Sequence, residues 1–138
     1  MREGFKVFAH TSEVGLEITG ADWAGFYRAA AEGLLCLYGL GLGAPSSGKT
    51  SRSFAAETPE ELLVAWLSEL IFLIGARRQI PAGIEVLEAG PRSLRVRLSL
   101  KPKARRVELA REIKAVTYHG LKVAKKPGGL KARLILDV

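Results

Sequence analysis

Glu13 and Asp137, near opposite ends of the 138-residue chain, are the side chains best suited to holding a hard cation. Glu13 follows a polar bend, His10-Thr11-Ser12, and opens a strand-like run; Asp137 is the penultimate residue of another. Carboxylates from two strand ends, joined by a main-chain or terminal oxygen, match the all-oxygen chemistry of Ca²⁺ and Mg²⁺. By alternation Asp137 shares a face with Arg133 and Ile135, opposite Leu134, Leu136 and Val138. The alternative for each carboxylate is simple solvation at a sheet edge.

Other chemistry is excluded by its surroundings. Gly43-Ala44-Pro45-Ser46-Ser47-Gly48-Lys49-Thr50 spells a phosphate-binding loop, but that loop needs a buried strand before it and a helix after it. Here the preceding segment reads as helix and the following one, 51–57, as strand, so a glycine-rich surface loop is expected; a P-loop hydrolase would depend on Lys49. His10 and His119 are the only histidines, and nothing places a nucleophile beside either. The single cysteine, Cys36, excludes an internal disulfide and any multi-cysteine metal site. Its neighbours Leu34, Leu35 and Leu37 predict a buried thiol.

The elements that must position these residues follow from periodicity. Phe5–Ala9 and Val14–Thr19 read as short strands. Asp22 is a natural N-cap for a helix carrying Trp23, Phe26, Ala30, Leu34 and Leu37 on one stripe. A strand over Arg52–Glu57 precedes the best-marked helix: Thr58 as N-cap, Pro59 in the first turn and Glu61 completing a capping box. Its apolar stripe is Leu62, Leu63, Trp66, Leu67, Leu70 and Ile74. Strands are then expected at Ile84–Glu88, Leu94–Leu100, Ile113–Tyr118, Leu121–Ala124 and Lys131–Val138. Turns are expected at Gly90-Pro91-Arg92 and Pro127-Gly128-Gly129. The order β-β-α-β-α-β-β-β-β-β predicts an α+β fold, a mixed β-sheet with two packed helices, over residues 1–138 as a single domain.

Charge is segregated along the chain. Residues 1–91 carry seven Lys/Arg against eleven Asp/Glu; residues 92–138 carry fourteen against three, for a net charge of +7. In Leu94–Leu100 the apolar positions alternate with Arg95, Arg97 and Ser99, predicting one dry and one basic, wet face, and a basic loop, Lys101–Arg106, follows. Such a half suits a polyanion or an acidic protein surface. A general RNA-binding or chaperone module is therefore the alternative reading, although Tyr118 is the only aromatic residue there, too few for a base-stacking platform. No apolar run approaches the ~20 residues of a membrane span. Residues 62–74 come nearest and are interrupted by Ser68 and Glu69. The acid-bearing N-terminus is unlike a secretory leader, so a cytoplasmic location is expected.

Three blocks carry a family resemblance. His10-Thr11-Ser12-Glu13-Val14-Gly15 resembles the opening signature of the archease family, His-Thr-Ala-Asp-Ile/Val-Gly. Glu61–Leu70 resembles its second helix, and Glu112-Ile113-Lys114-Ala115-Val116-Thr117-Tyr118-His119 its most distinctive string; the chain ends in Asp137-Val138 where the family has Asp-Ile/Val. The resemblance implies two strand-helix-strand-strand modules, one inserted in the other. It also implies a non-catalytic protein that activates an RtcB-type RNA ligase in tRNA splicing, promoting guanylylation and multiple turnover. The family's metal ligands fall on Glu13, Asp137 and Val138, and its functional lysine on Lys114, so ligase activation is assigned to Glu13, Lys114 and Asp137. The expected partner is the ligase, with RNA contact through the basic half and neither DNA nor a membrane.

The sequence departs from the family pattern at three places. Glu13 stands where Asp is usual, moving the carboxylate by ~1 Å; the flexible shell of Ca²⁺ tolerates this better than octahedral Mg²⁺, so Ca²⁺ is the expected ion. A Gly-Glu pair and a His present in many members fall on Ser99-Leu100 and Val107.

Overall fold

The computed structural model describes residues 3–9, 12–42, 48–105 and 107–138. His10, Thr11, Gly43 to Ser47 and Arg106 lie outside them, as do most of the opening motif's polar bend and the body of the P-loop-like string. The elements run β1 (Gly4–Ala9), β2 (Glu13–Gly20), α1 (Trp23–Leu37), β3 (Lys49–Ala55), α2 (Pro59–Gly75), β4 (Gln79–Ala89), β5 (Ser93–Pro102), β6 (Ala115–Lys126) and β7 (Gly129–Asp137).

Local chemistry starts both helices where the sequence predicts. The Asp22 carboxylate accepts from the Gly25 amide at 2.8 Å, and the Thr58 hydroxyl accepts from the Glu61 amide at 3.1 Å with Pro59 between them. Each bond satisfies an amide with no partner inside the helix.

The strands divide between two sheets, of order β1-β2-β7-β6 and β3-β5-β4. Every pairing between the described strands is antiparallel, so the fold is α+β with two helices as expected, while the mixed sheet resolves into two antiparallel ones. The elements β3, α2, β4 and β5 form a strand-helix-strand-strand unit inserted between α1 and β6. The flanking β2, α1, β6 and β7 form the other, extended by β1.

One strand expectation is corrected. The two strands read at 113–118 and 121–124 are a single β6, whose pairing with β7 skips from Thr117↔Ile135 to Lys122↔Arg133. Gly120, at φ 64°, lets the extra residues loop out while the chain rejoins the same neighbour. Tyr118 and His119 are exposed at this bulge.

The helices bind the sheets together. α1 packs on β2 and β1 and reaches β4; α2 packs chiefly on β6 of the larger sheet, and on β4 and β3 of the smaller one. At their crossing the Trp66 indole N–H donates to the Tyr27 carbonyl oxygen at 3.0 Å, and the Tyr27 hydroxyl donates to the Gly90 carbonyl oxygen at 2.9 Å in the β4–β5 turn. Phe54 of β3 meets the Trp66 ring edge-on at 5.6 Å. The Glu60 carboxylate accepts from the Val123 amide at 2.7 Å, tying α2 to the outer strand β6.

Cys36 is exposed, not buried. Its leucine neighbours are buried, but Arg28, Glu32 and Cys36 recur at four-residue spacing and form the solvent stripe of α1. Adjacency in sequence is a poor guide to burial on a helix with so wide an apolar face.

The β2–α1 junction depends on Gly20, where a Cβ would collide with the amide nitrogen and Cα of Phe26. Backbone in the first turn of a packed helix cannot swing aside as a side chain can. Gly20→Ala is expected to destabilise the protein by about 1–3 kcal/mol. The check is a lower urea midpoint with an unchanged m-value.

Candidate functional site

The two acids at the chain's extremes are brought face to face. Glu13 is the first residue of β2 and pairs directly with Asp137, the last of β7. Directly paired residues project to the same side of a sheet with Cβ atoms about 4.5–5.5 Å apart. The core side of the same strands carries Val14, Leu16, Leu134 and Leu136, all buried. Glu13 and Asp137 therefore open onto the outer face, both half-buried. β6 completes the row: Ala115 pairs with Asp137, and the Lys114 amide donates to the Asp137 carbonyl oxygen at 2.8 Å. Glu13, Asp137, half-buried Val138 and exposed Lys114 thus share one end of the four-stranded sheet.

Among the described residues neither Glu13 nor Asp137 has an ion-pair partner, and no group of three or more His, Cys, Asp or Glu is poised to hold a metal. Two like charges on directly opposed residues repel. Such an arrangement is relieved by a cation placed between them, and the donors here are carboxylate oxygens of the kind that Ca²⁺ or Mg²⁺ takes, with Val138 following Asp137 just beyond the end of β7. Two carboxylates are fewer than the roughly six to eight oxygens that Ca²⁺ takes, so any hard cation held here would draw the remainder from main chain and solvent.

Further along the same face Gly15 has a structural task. A Cβ there would strike the Phe8 ring, which lies across the glycine from β1. The Arg133 guanidinium stands 4.3 Å from the centre of that ring, and Glu17 bridges Lys131 at 3.3 Å and Arg133 at 3.8 Å. The glycine of the opening motif thus admits an aromatic–cation stack beside the acidic pair.

The basic half is less free in space than in sequence. Arg95 pairs with Glu88 at 2.8 Å and Arg97 with Glu85 at 3.4 Å, because β4, from the acidic half, is the neighbour of β5. The basic face expected on Leu94–Leu100 is largely neutralised there, and Ser99, placed on that face, is buried. Lys49 and Thr50 open β3, opposite Ser99 and Leu98, so the end of the P-loop-like string is strand rather than helix. Half-buried Val107 follows the basic loop, its amide donating to the Ala104 carbonyl oxygen at 3.0 Å.

Sequence reasoning missed the surroundings of Tyr38. The ring is buried beside the segment that leads to Lys114, and the Tyr38 carbonyl oxygen accepts from the Ala110 amide at 2.9 Å. Burial, reinforced by the Glu112 carboxylate, pushes the phenol from 10.0 up to about 12; burial and Glu60 raise Tyr27 further still. For an acid whose folded pKa is raised, the unfolded chain releases its proton first. Stability is therefore expected to fall as pH rises above about 10, where free tyrosine ionises. Urea midpoints at pH 9 and 11 check this, and Tyr38→Phe should lessen the drop.

The fold and site define a class: a two-module α+β domain whose interrupted chain returns to set an acidic pair at one sheet end. The chain belongs to the archease family. The model of the Archease protein family (MTH1598/TM1083) matches residues 5–138. Relatives named Protein archease include one from Methanosarcina mazei, 36% identical over 101 residues, 67% of this chain and 68% of the relative. Another, from Methanosarcina barkeri, is 34% identical over 99 residues with the same two shares. Among solved structures, an archease of Thermotoga maritima superposes with a TM-score of 0.67 at 24% identity, covering 100% of this chain and 98% of its own. Protein 1598 of Methanobacterium thermoautotrophicum gives 0.66 at 23%, covering 98% and 99%. Both share the fold described above.

Proposed function

We propose that this protein is a non-catalytic accessory factor that activates an RtcB-type RNA ligase, promoting guanylylation and repeated turnover in tRNA splicing or RNA repair. The observation that carries the reading is the direct pairing of Glu13 with Asp137 at the sheet end shared with Lys114. These are the positions to which the family resemblance assigns the activity. Nucleotidyl transfer requires metal ions, phosphates and catalytic groups in alignment. An accessory protein supplies that alignment by binding the aligned state of the enzyme more tightly than the others. In this mechanism the carboxylates order the edge that meets the ligase, and the exposed Lys114 ammonium engages a ligase carboxylate or a phosphate. Work in the cytoplasm suits this role, and no helix among the described residues is long and apolar enough to cross a membrane.

Glu13 and Asp137, with the oxygen of Val138, would hold Ca²⁺, which when bound neutralises the facing carboxylates and stiffens the edge. Free Ca²⁺ at about 100 times its dissociation constant is expected to stabilise the fold by about 2.7 kcal/mol. Thermal melts with Ca²⁺ and with chelator should differ for the unaltered protein and coincide for a Glu13→Gln/Asp137→Asn double variant.

The function is tested by counting RNA joined per ligase molecule with GTP and Mn²⁺. Several turnovers are expected only when this protein is added; equal turnover without it would refute the reading. Binding through the basic half alone is the second reading. The Glu85 and Glu88 pairs on β4 count against it, since they occupy part of that charge. Steeply salt-dependent RNA affinity with no effect on the ligase would favour it.

A further inference from the structure

An open groove of about 710 Å³ runs between the C-terminal turn of α2 and the segment leading into Lys114. Its floor is aliphatic and aromatic: Ile71 and Phe72 from the helix, Leu109 and Ile113 from the segment. Phe72 is 47% exposed, a large apolar side chain left open on a packed helix. The rim is cationic, formed by Arg78, Lys103, Arg111 and Lys114, with Glu112 the one acid. Among the described residues none of these four cations has an ion-pair partner.

Two backbone features add to this. Arg78 holds a φ of 53°, a left-handed conformation that is strained for a non-glycine residue, and is kept there as its carbonyl oxygen accepts from the Lys103 amide at 2.9 Å. That bond fixes two rim cations side by side. The segment on the opposite wall is pinned at both ends, by the Ala110 amide on Tyr38 and the Lys114 amide on Asp137. Between the pins, among the described residues, the main chain of Arg111, Glu112 and Ile113 enters no hydrogen bond. A stretch outside both sheets with unused donors and acceptors, beside an apolar trough, offers what an added strand requires.

We infer that this groove docks an extended acidic segment of a partner protein, with one aliphatic or aromatic anchor seated on Phe72 and Ile113. Its carboxylates meet Arg78, Lys103 and Arg111, and its main chain pairs with residues 111–113. A nucleic acid fits less well: the floor is mostly aliphatic, and Phe72 is already stacked by Arg77 at 5.5 Å. The inference rests on the functional reading above to the extent that the segment belongs to the ligase. Because the segment between the pins ends at Lys114, occupation of the groove would orient that lysine and, through the Asp137 carbonyl, the acidic edge.

The first probe is a synthetic extended peptide alternating Asp/Glu with Leu/Phe, titrated into the isotope-labelled full chain at low salt. Shifts confined to the groove lining, Ile71, Phe72, Arg78, Lys103 and residues 109–113, are expected, with affinity reduced on the order of tenfold by Arg111→Glu/Lys103→Glu. No binding, shifts scattered over the sheet faces, or a single-stranded RNA shifting these groups where the peptide does not, would overturn the proposal. The second arm measures binding to the ligase. Charge reversal at Arg111 and Lys103 should weaken it comparably. A ligase that binds the unaltered protein and the reversed variant equally overturns the groove while leaving the functional reading intact. A ligase that binds neither, with the peptide still seated, overturns the functional reading and leaves the groove standing.

Discussion

Asp137→Ala is expected to return an RtcB-type ligase to about the single round of joining it performs alone, a loss on the order of tenfold or more in RNA joined per ligase. The residue is half-buried at the last position of β7, and its main chain, which carries the bond to Lys114, is untouched by the substitution. The fold should therefore persist, with the melting temperature in chelator close to that of the unaltered protein. Lys114→Ala should remove turnover equally while leaving Ca²⁺ affinity in place, since its side chain is not among the expected ligands. Glu13→Asp, which restores the residue usual in the family, should keep or raise activity. If Asp137→Ala and Lys114→Ala both supported normal turnover, the acidic edge would have no part in activation.

The largest effect on stability is expected at Trp66. The side chain is fully buried, bonded through its indole N–H to the Tyr27 carbonyl oxygen and packed against Phe54. It is thus the point where α1, α2 and the smaller sheet meet. Trp66→Ala opens a cavity in a crowded core and should cost about 3–5 kcal/mol, lowering the melting temperature by roughly 10 °C or more. Trp66→Phe keeps most of the packing and forfeits the hydrogen bond, so its cost should fall to about 1–3 kcal/mol. Urea titrations of both variants separate the two contributions. A Trp66→Ala loss under 1 kcal/mol would mean that the two modules are not joined through this residue.

Both substitutions concern residues that were conspicuous in the sequence, for different reasons. Trp66 stands in an apolar stripe at helical spacing after a capping box, so its helix and its inward direction follow from local rules. Asp137 was singled out by residue type and by its place at the end of an alternating strand. Local rules also located the two N-caps, the Gly90 and Pro127 turns and the core faces of β2, β5 and β7. In each case neighbours a few residues away carry the information.

Where the outcome depends on distant neighbours, the sequence was silent or misleading. Cys36 looked buried because its sequence neighbours are leucines, yet helix geometry turned it outward with Arg28 and Glu32. The halves of the chain differ in charge, yet β4 brings Glu85 and Glu88 against Arg97 and Arg95, so the imbalance is partly cancelled across strands. The two short strands before Pro127 merged into one because Gly120 lets the chain bulge and rejoin β7. Nothing local announced the groove beside Lys114, whose walls are some 40 residues apart in the chain.

Capping, periodicity and turn chemistry act over a few residues, so the sequence by itself determined the two helices, most strands and which residue types face the core. It also marked Glu13 and Asp137 as groups worth following, while Lys114 was pointed to by the family resemblance. Only the tertiary structure decided that these groups meet. β2 and β7 pair across more than a hundred intervening residues, and with side chains alternating, a register slip of one would turn Asp137 toward the core and away from Glu13. That register is held by burying Leu16, Leu134 and Leu136 together, and the acidic edge exists as a consequence of that burial.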